Sequence, residues 1–306
     1  MRRAAAACAL GAARIARAGD AANGLKVGII SDEVDTDFEN ALRWIRDQGL
    51  EWVELRNLWG TYVTDLKPAE IARARDLLAQ YGLKVSMIDS AFLKTTLPGS
   101  RPIPQEQMLD AFGNYPYDDH DKLLGRALGV ARAFGVNRVR VFSYWRDRKP
   151  GSVFDEVKGR LARAAEAAER YGFVLVLENE YACNVATGAE LAAMLKAIPS
   201  RGLAGLWDPG NAQAAGERPY PDGYGKLDKT RLVHLHLKDV VVHGTKWNWA
   251  PVGAGAIDMR GQLRALARDR FDGVVSLETH YVPTNGTKQD ASLRTLAGLR
   301  GILSEL

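Results

Sequence analysis

The sequence predicts an α/β fold, a single (β/α)8 TIM barrel, on three observations. Short apolar, strand-like runs alternate with longer helical patterns eight times between Leu25 and the C-terminus. Runs such as Val174-Leu175-Val176-Leu177 are apolar on both faces, as strands of a parallel sheet covered on both sides are. Eight units in one unbroken rhythm close into a barrel. A doubly wound open sheet would normally use fewer strands and begin with a glycine-rich turn, and Ile30-Ser31-Asp32-Glu33 is not one.

The elements follow in order. Strand one is expected over residues 26–30, and Phe38, Leu42 and Ile45 then recur at helical spacing up to Gly49. Strand two covers 52–56, and its helix runs from Pro68, which suits a first helical turn, to Tyr81, before the stop at Gly82. Strand three (84–89) precedes a helix over 119–134, strand four (138–142) a helix over 154–171, and strand five (173–177) a helix over 188–197. Strand six (203–207) leads into a short segment rich in Gly and Pro. Strand seven (232–237) precedes a helix over 259–268, and strand eight (274–277) the closing helix over 289–303. Two connections are long. Residues 90–118 carry Pro98, Gly99, Pro102, Pro104 and Pro116, and residues 240–257 carry Trp247, Trp249 and three glycines. Both follow strands, so both are expected on the mouth of the barrel, where long loops serve as lids or as decoration.

Composition narrows the class. Of 306 residues, 46% are hydrophobic and 25% charged, which is ordinary for a globular chain. No apolar run approaches the roughly 18–20 residues a membrane span needs. The formal charge is +4, but Arg2, Arg3, Arg14 and Arg17 stand in the first 18 residues without an acid, so the body is neutral. Without a basic stripe, binding to a phosphate backbone is not expected. Residues 1–24 read as a leader and 25–306 as the barrel. Arg2-Arg3, the alanine-rich run after it and Ala16-Arg17-Ala18 look like the end of a twin-arginine export signal, which would place the mature chain in the periplasm or outside the cell. A disordered leader on a cytoplasmic protein is the alternative. Cys8 lies in the leader and leaves Cys183 alone, so a processed chain forms no internal disulfide.

Polar residues gather where the late strands end. Glu178 follows strand five, Asp208 follows strand six, His236 lies near the end of strand seven, and Glu278 follows strand eight. In a barrel these four ends are neighbours on one rim. Any one acid alone could cap a helix or pair with a Lys or Arg. Three carboxylates and an imidazole converging on one point are costly to bury unless a cation sits between them. The set suits one divalent ion, Mn²⁺ first, with Mg²⁺, Co²⁺ or Zn²⁺ also possible.

Leu177-Glu178-Asn179, Trp207-Asp208-Pro209-Gly210-Asn211, His234-Leu235-His236-Leu237-Lys238-Asp239 and Leu277-Glu278 resemble the sugar phosphate isomerase/epimerase family of the xylose-isomerase-like barrels, over a stretch from about Lys26 to the C-terminus. By that resemblance Glu178, Asp208, His236 and Glu278 match the family's four metal ligands. The two histidines of strand seven point to the same side of it. The family pattern puts the ligand directly before x-Lys-Asp, which selects His236 and leaves His234 packed behind it. The resemblance also implies chemistry. The metal grips adjacent oxygens of a sugar and stabilises an enediolate, while Glu178 and Glu278 exchange protons with the sugar from opposite sides.

Further mouth residues are expected to hold substrate hydroxyls: Asn211, Lys238 and His280 above all, then Glu54 and Trp145, with Arg56, Asp89 and Glu180 as further candidates. The expected partner is a small carbohydrate, neither nucleic acid nor membrane, and association of identical chains is left open. Ketose 3-epimerases of the family usually carry histidine where Asn211 stands and an arginine in the loop after strand seven, where this chain has Val240-Val241-Val242-His243. A lyase or dehydratase acting on a sugar acid, keto-sugar or 3-keto-glycoside by the same proton abstraction is therefore the alternative to an isomerase or epimerase. The endonuclease IV group needs more rim histidines than the five in this chain (His120, His234, His236, His243 and His280). A non-catalytic sugar-binding barrel would not need both Glu178 and Glu278.

Overall fold

A computed structural model describes residues 24–103, 113–244 and 246–306. Residues 1–23, expected as part of a leader, 104–112 (Pro104 among them) and Thr245 lie outside the described residues. Eight parallel strands close into a barrel: β1 (Lys26–Ile30), β2 (Trp52–Leu55), β3 (Lys84–Phe92), β4 (Arg138–Val141), β5 (Val174–Glu178), β6 (Leu203–Trp207), β7 (Leu232–Leu237) and β8 (Val274–Leu277). Each pairs with its sequence neighbours, and β1 closes the ring on β8. No helix among the described residues is long and apolar enough to cross a membrane.

The outer ring is built from α1 (Phe38–Asp47), α2 (Pro68–Tyr81), α3 (His120–Ala133), α4 (Phe154–Arg170), α5 (Gly188–Ala197), α6 (Pro209–Ala214), α7 (Met259–Arg268) and α8 (Lys288–Leu303). Local chemistry sets their ends. The Asp37 side chain accepts the Asn40 N–H at the start of α1, and Thr187 and Glu190 form a reciprocal capping box on α5. Gly82 stops α2 in the left-handed conformation, with φ 67°. Apolar side chains such as Leu42, Ile45, Leu161, Leu191, Leu263 and Leu299 turn from these helices onto the strands and bury the main core.

Some boundaries differ from expectation. β3 runs on to Phe92 through a register shift against β4 between Asp89 and Phe92, an irregularity with no strong composition signal. The segment after β6 holds the six-residue α6. The region expected as a long loop after β7 is a β-hairpin, Asp239–His243 against Lys246–Ala250. The alternation Lys246-Trp247-Asn248-Trp249 carries that strand signal.

Candidate functional site

The polar residues at the C-terminal strand ends meet at one point. Glu178 ends β5, Asp208 follows β6 as the N-cap of α6, His236 is the penultimate residue of β7, and Glu278 follows β8. Ligand atoms of all four lie within 4.8 Å of one another, and all four residues are buried. His236 Nδ1 lies 3.4 Å from Glu178 Oε1, 3.3 Å from Glu278 Oε2 and 3.9 Å from Asp208 Oδ2. Neither this nitrogen nor Glu178 Oε2 has a hydrogen-bond partner, although both are buried. Glu178 Oε2 lies 3.4 Å from the Arg140 guanidinium, while the unpaired His236 Nδ1 sits among oxygens of Glu178, Glu278 and Asp208, so the donor set fits a divalent cation.

Backbone and neighbouring groups hold the cluster in place. The Asn179 side chain accepts the Asp208 N–H at 2.8 Å and donates to the Asp208 carbonyl at 2.8 Å, locking the ends of β5 and β6 together. Asp208 Oδ1 accepts the Asn211 N–H, and Asn211 Nδ2 donates to Glu178 Oε1 at 3.1 Å. Gly210 leaves room for Lys238, because a Cβ there would stand 2.6 Å from Lys238 Cγ. Beneath the cluster, Glu54 receives His234 Nε2 at 2.9 Å and His236 Nε2 at 3.0 Å. That contact fixes the His236 ring with Nδ1 facing the carboxylates.

Three cations balance the acids. Lys238 Nζ donates to Asp208 Oδ2 at 2.6 Å and also to Glu278 Oε2. Arg140, on β4, lies 3.4 Å from both Asp89 and Glu178 and 3.9 Å from Glu278. Arg56 donates to Asp32, Glu33 and Glu278. Burial raises the Glu278 carboxyl, but Lys238, His280 and His236 outweigh it and hold the group well below the usual carboxylate range. Glu178 is lowered likewise, with Arg140 and His236 overcoming its burial. Asp208 moves the other way, because burial and the two glutamates outweigh Lys238. Asp89 is pushed well up by burial, with Glu54 adding to the rise against Arg140.

Comparison with known proteins places this architecture. The family model described as xylose isomerase-like TIM barrel matches residues 42–299. The chain belongs to the xylose isomerase-like TIM barrel family. A curated relative of this xylose isomerase-like barrel is 3-oxo-isoapionate decarboxylase of Pectobacterium atrosepticum, 27% identical over 173 residues. That match spans 55% of this chain and 60% of the relative, less than two thirds of its length. Among solved structures, the IOLI protein with a bound zinc atom superposes with a TM-score of 0.71 at 17% identity, over 92% of this chain and 99% of that one. The apo form of the 3-keto-D-glucoside 4-epimerase YcjR of E. coli gives 0.65 at 16% identity, over 90% and 99%. At these identities the structural likeness speaks for the fold.

The xylose isomerase-like barrel places the remaining expected residues unequally. Asn211 and Lys238 sit inside the cluster. His280 stands at its edge, with Nε2 3.4 Å from Glu278 Oε1 and with Glu33 accepting both its backbone N–H and its ring Nδ1. Those bonds hold His280 at φ 47°, a left-handed conformation that costs on the order of 1–3 kcal/mol for a non-glycine residue. Glu54, expected to hold a hydroxyl, is fully buried with each carboxylate oxygen on an imidazole. Trp145 packs against Phe142, Ala182 and Cys183, with Lys94 over its ring. Glu180 is buried beside it, accepting the Ala182 N–H. Arg56 is tied to three acids, as a salt-bridged rim residue would be.

Arg140 and Glu33 were not among the expected site residues. A charged residue alternating with valine in Arg138-Val139-Arg140-Val141 was the available signal for Arg140. Asp239 was read only as part of the family pattern. Its carboxylate accepts the N–H groups of Val240, Gly253, Gly255 and Ile257, clipping the base of the hairpin to the barrel. A cavity of about 830 Å³ opens at the opposite end of the barrel, beside Val174, Ala204 and Val233, away from this chemistry.

Proposed function

We propose that this barrel is a divalent-metal-dependent isomerase or epimerase acting on a sugar next to its carbonyl. The observation that carries the reading is the approach of Glu178 and Glu278 to His236 Nδ1, at 3.4 and 3.3 Å, with Asp208 completing the group. Glu178, Asp208, His236 and Glu278 would hold the ion, Mn²⁺ being the first to try and Mg²⁺, Co²⁺ or Zn²⁺ the alternatives. When bound, the ion supplies Lewis-acid polarisation of the carbonyl and offsets charge as a neighbouring C–H is deprotonated. The two glutamates move the proton: one carboxylate takes it from carbon, and a proton is returned either by the other to the opposite face of the same carbon, as an epimerase requires, or to the neighbouring carbon, as an isomerase requires. Glu178 Oε2 takes no hydrogen bond, and Arg140 at 3.4 Å keeps it ionised, which suits the accepting role. Asn211 holds the other Glu178 oxygen, and Arg56 and Lys238 hold Glu278, so both carboxylates are fixed in orientation. A small carbohydrate is the proposed partner.

A lyase on a sugar acid or keto-sugar is the second reading, and the sequence match to a decarboxylase favours it. Both readings share the proton-transfer pair, and one experiment separates them. Protein loaded with Mn²⁺ and incubated in D₂O with ketoses, sugar acids and 3-keto sugars should place deuterium on the carbon beside the carbonyl, followed by NMR. Glu178→Gln and Glu278→Gln should each lose at least about 10²-fold in turnover, with metal binding weakened less. Release of CO₂ or water instead of an epimer selects the lyase. Absence of carbon-bound exchange in every sugar tried, or normal turnover by the Gln variants, overturns the paired-glutamate mechanism.

A further inference from the structure

Beside the carboxylate cluster the hairpin after β7 carries two indoles on one face, Trp247 and Trp249, two residues apart on the same strand. Trp249 belongs to the rim of the site: its ring lies 5.1 Å from Lys238 Nζ and 5.6 Å from the His280 ring. Trp247 stands one ring further along, 4.7 Å from Trp249. Tyr181, from the loop after β5, completes the group at 5.2 Å from Trp247 and 6.0 Å from Trp249. All three are half-buried, and they meet edge to face. The three-ring group joins the loops after β5 and β7 and touches the segment after β8 at His280.

The placement of this group is built. Asp239, fully buried, gathers four backbone N–H groups from the hairpin's base and the turn that follows. Gly255 is required there, because a Cβ would fall 2.1 Å from Asp239 Oδ1. A motif residue with no part in the carboxylate cluster thus fixes the strand that presents the indoles.

We propose that Trp247, Trp249 and Tyr181 form an outer subsite for a second ring of the substrate, so that the sugar acted on is a glycoside whose sugar ring carries the reacting ketone rather than a free monosaccharide. The inference rests on the proposed sugar reaction for the inner pocket and adds the substrate's size to it. Trp249 borders Lys238 and His280, and His280 borders Glu278, so the rings stand next to the proposed inner pocket. Among the described residues the ring contacts of Trp247 are with Trp249 and Tyr181, and it packs against the core as well, so the surface it leaves exposed is open to what lies beyond that pocket. Aromatic residues with polar tips suit the alternating C–H faces and hydroxyls of a sugar or an aryl aglycone.

Binding without turnover tests this apart from the chemistry. Intrinsic tryptophan fluorescence and saturation-transfer NMR would be recorded on the full chain, loaded with Mn²⁺, against phenyl glucoside, a glucose disaccharide, methyl glucoside and glucose. Two-ring ligands should bind at least about tenfold tighter than one-ring ligands, with saturation strongest on the second ring. Trp247→Ala should erase that tenfold preference and leave methyl glucoside binding unchanged, while Trp247→Phe should restore most of it. Circular dichroism of both variants reports that the hairpin change leaves the barrel folded. Equal affinity for one-ring and two-ring ligands, or an undiminished preference in Trp247→Ala, overturns the subsite. If the Gln variants of the glutamates turn over normally while the two-ring preference persists, the reaction has failed and the subsite stands.

Discussion

His120 gives a stability prediction with a defined pH window. The residue is fully buried at the start of α3. Its Nδ1 accepts the Leu93 N–H at 2.8 Å, and its Nε2 donates to the Tyr115 carbonyl at 3.3 Å. The ring is therefore held neutral, with its proton on Nε2, and a second proton would destroy the bond to Leu93. Burial lowers its pKa from 6.5 to about 4, against a smaller opposing contribution from the Tyr115 carbonyl. Because the folded pKa is depressed, the unfolded chain takes the proton first as pH falls. The contribution is complete above pH 6.5 and is lost between there and pH 4. Integrated from about pH 7.5 to about pH 4.5, that shift corresponds to roughly 2–3 kcal/mol of stability. His120→Asn supplies the control, since its amide oxygen can accept the Leu93 N–H and does not titrate. Urea unfolding of both proteins at the two pH values gives the difference directly, with the other titrating groups common to both. Wild type should lose roughly 2–3 kcal/mol more than His120→Asn on acidification. Equal losses would refute the assignment of a neutral, depressed His120.

Three further outcomes follow from the site and the leader. Metal analysis of purified protein should find about one divalent ion; His236→Ala should lose it, whereas His234→Ala should weaken binding by about 10–100-fold, as loss of an outer-shell partner does. Stoichiometric metal in His236→Ala would sink the ligand assignment. Lys238→Met removes the buried cation from Asp208 and Glu278 and should cost the metal-free protein about 3–5 kcal/mol. Added Mn²⁺ should then raise the melting temperature of the variant more than that of wild type, and equal shifts in a thermal scan would refute the role of Lys238 as counter-ion. Export is proposed from Arg2-Arg3 and Ala16-Arg17-Ala18, and N-terminal sequencing of native material should begin near Gly19; an intact Met1 on cytoplasmic protein would end that proposal.

The barrel was legible because its strands are apolar on both faces and its helices keep their own period. The meeting of Glu178, Asp208, His236 and Glu278 was legible because each breaks an apolar strand at the same end. What the sequence withheld is depth. Inward-pointing polar residues look alike in sequence whether they face the mouth or lie one layer below it, and the register of the staggered strands decides which. Glu54 therefore reads as a hydroxyl-binding residue but lies under His236, and Arg140 passes for a surface charge in a strand with Arg138. Trp145 was placed near the mouth by its position after β4, yet its ring packs on Phe142 and Cys183. Glu33 was hidden because its partners, Arg56 and His280, lie 23 and 247 residues away.

Arg140 and Lys238 also bear on the order in which this molecule is assembled. Each lies against two or more of the acids at the barrel centre, so the charges that would otherwise oppose closure of β4 to β8 are already countered by the chain itself. Closure then requires no cation from solution. Small metal-organised domains have no stable fold before the ion arrives, and a chelator unfolds them. Here the polypeptide brings its own scaffolding cations, so loading of the proposed ion would be a late event on a finished barrel, and stripping it should silence the protein without dismantling it.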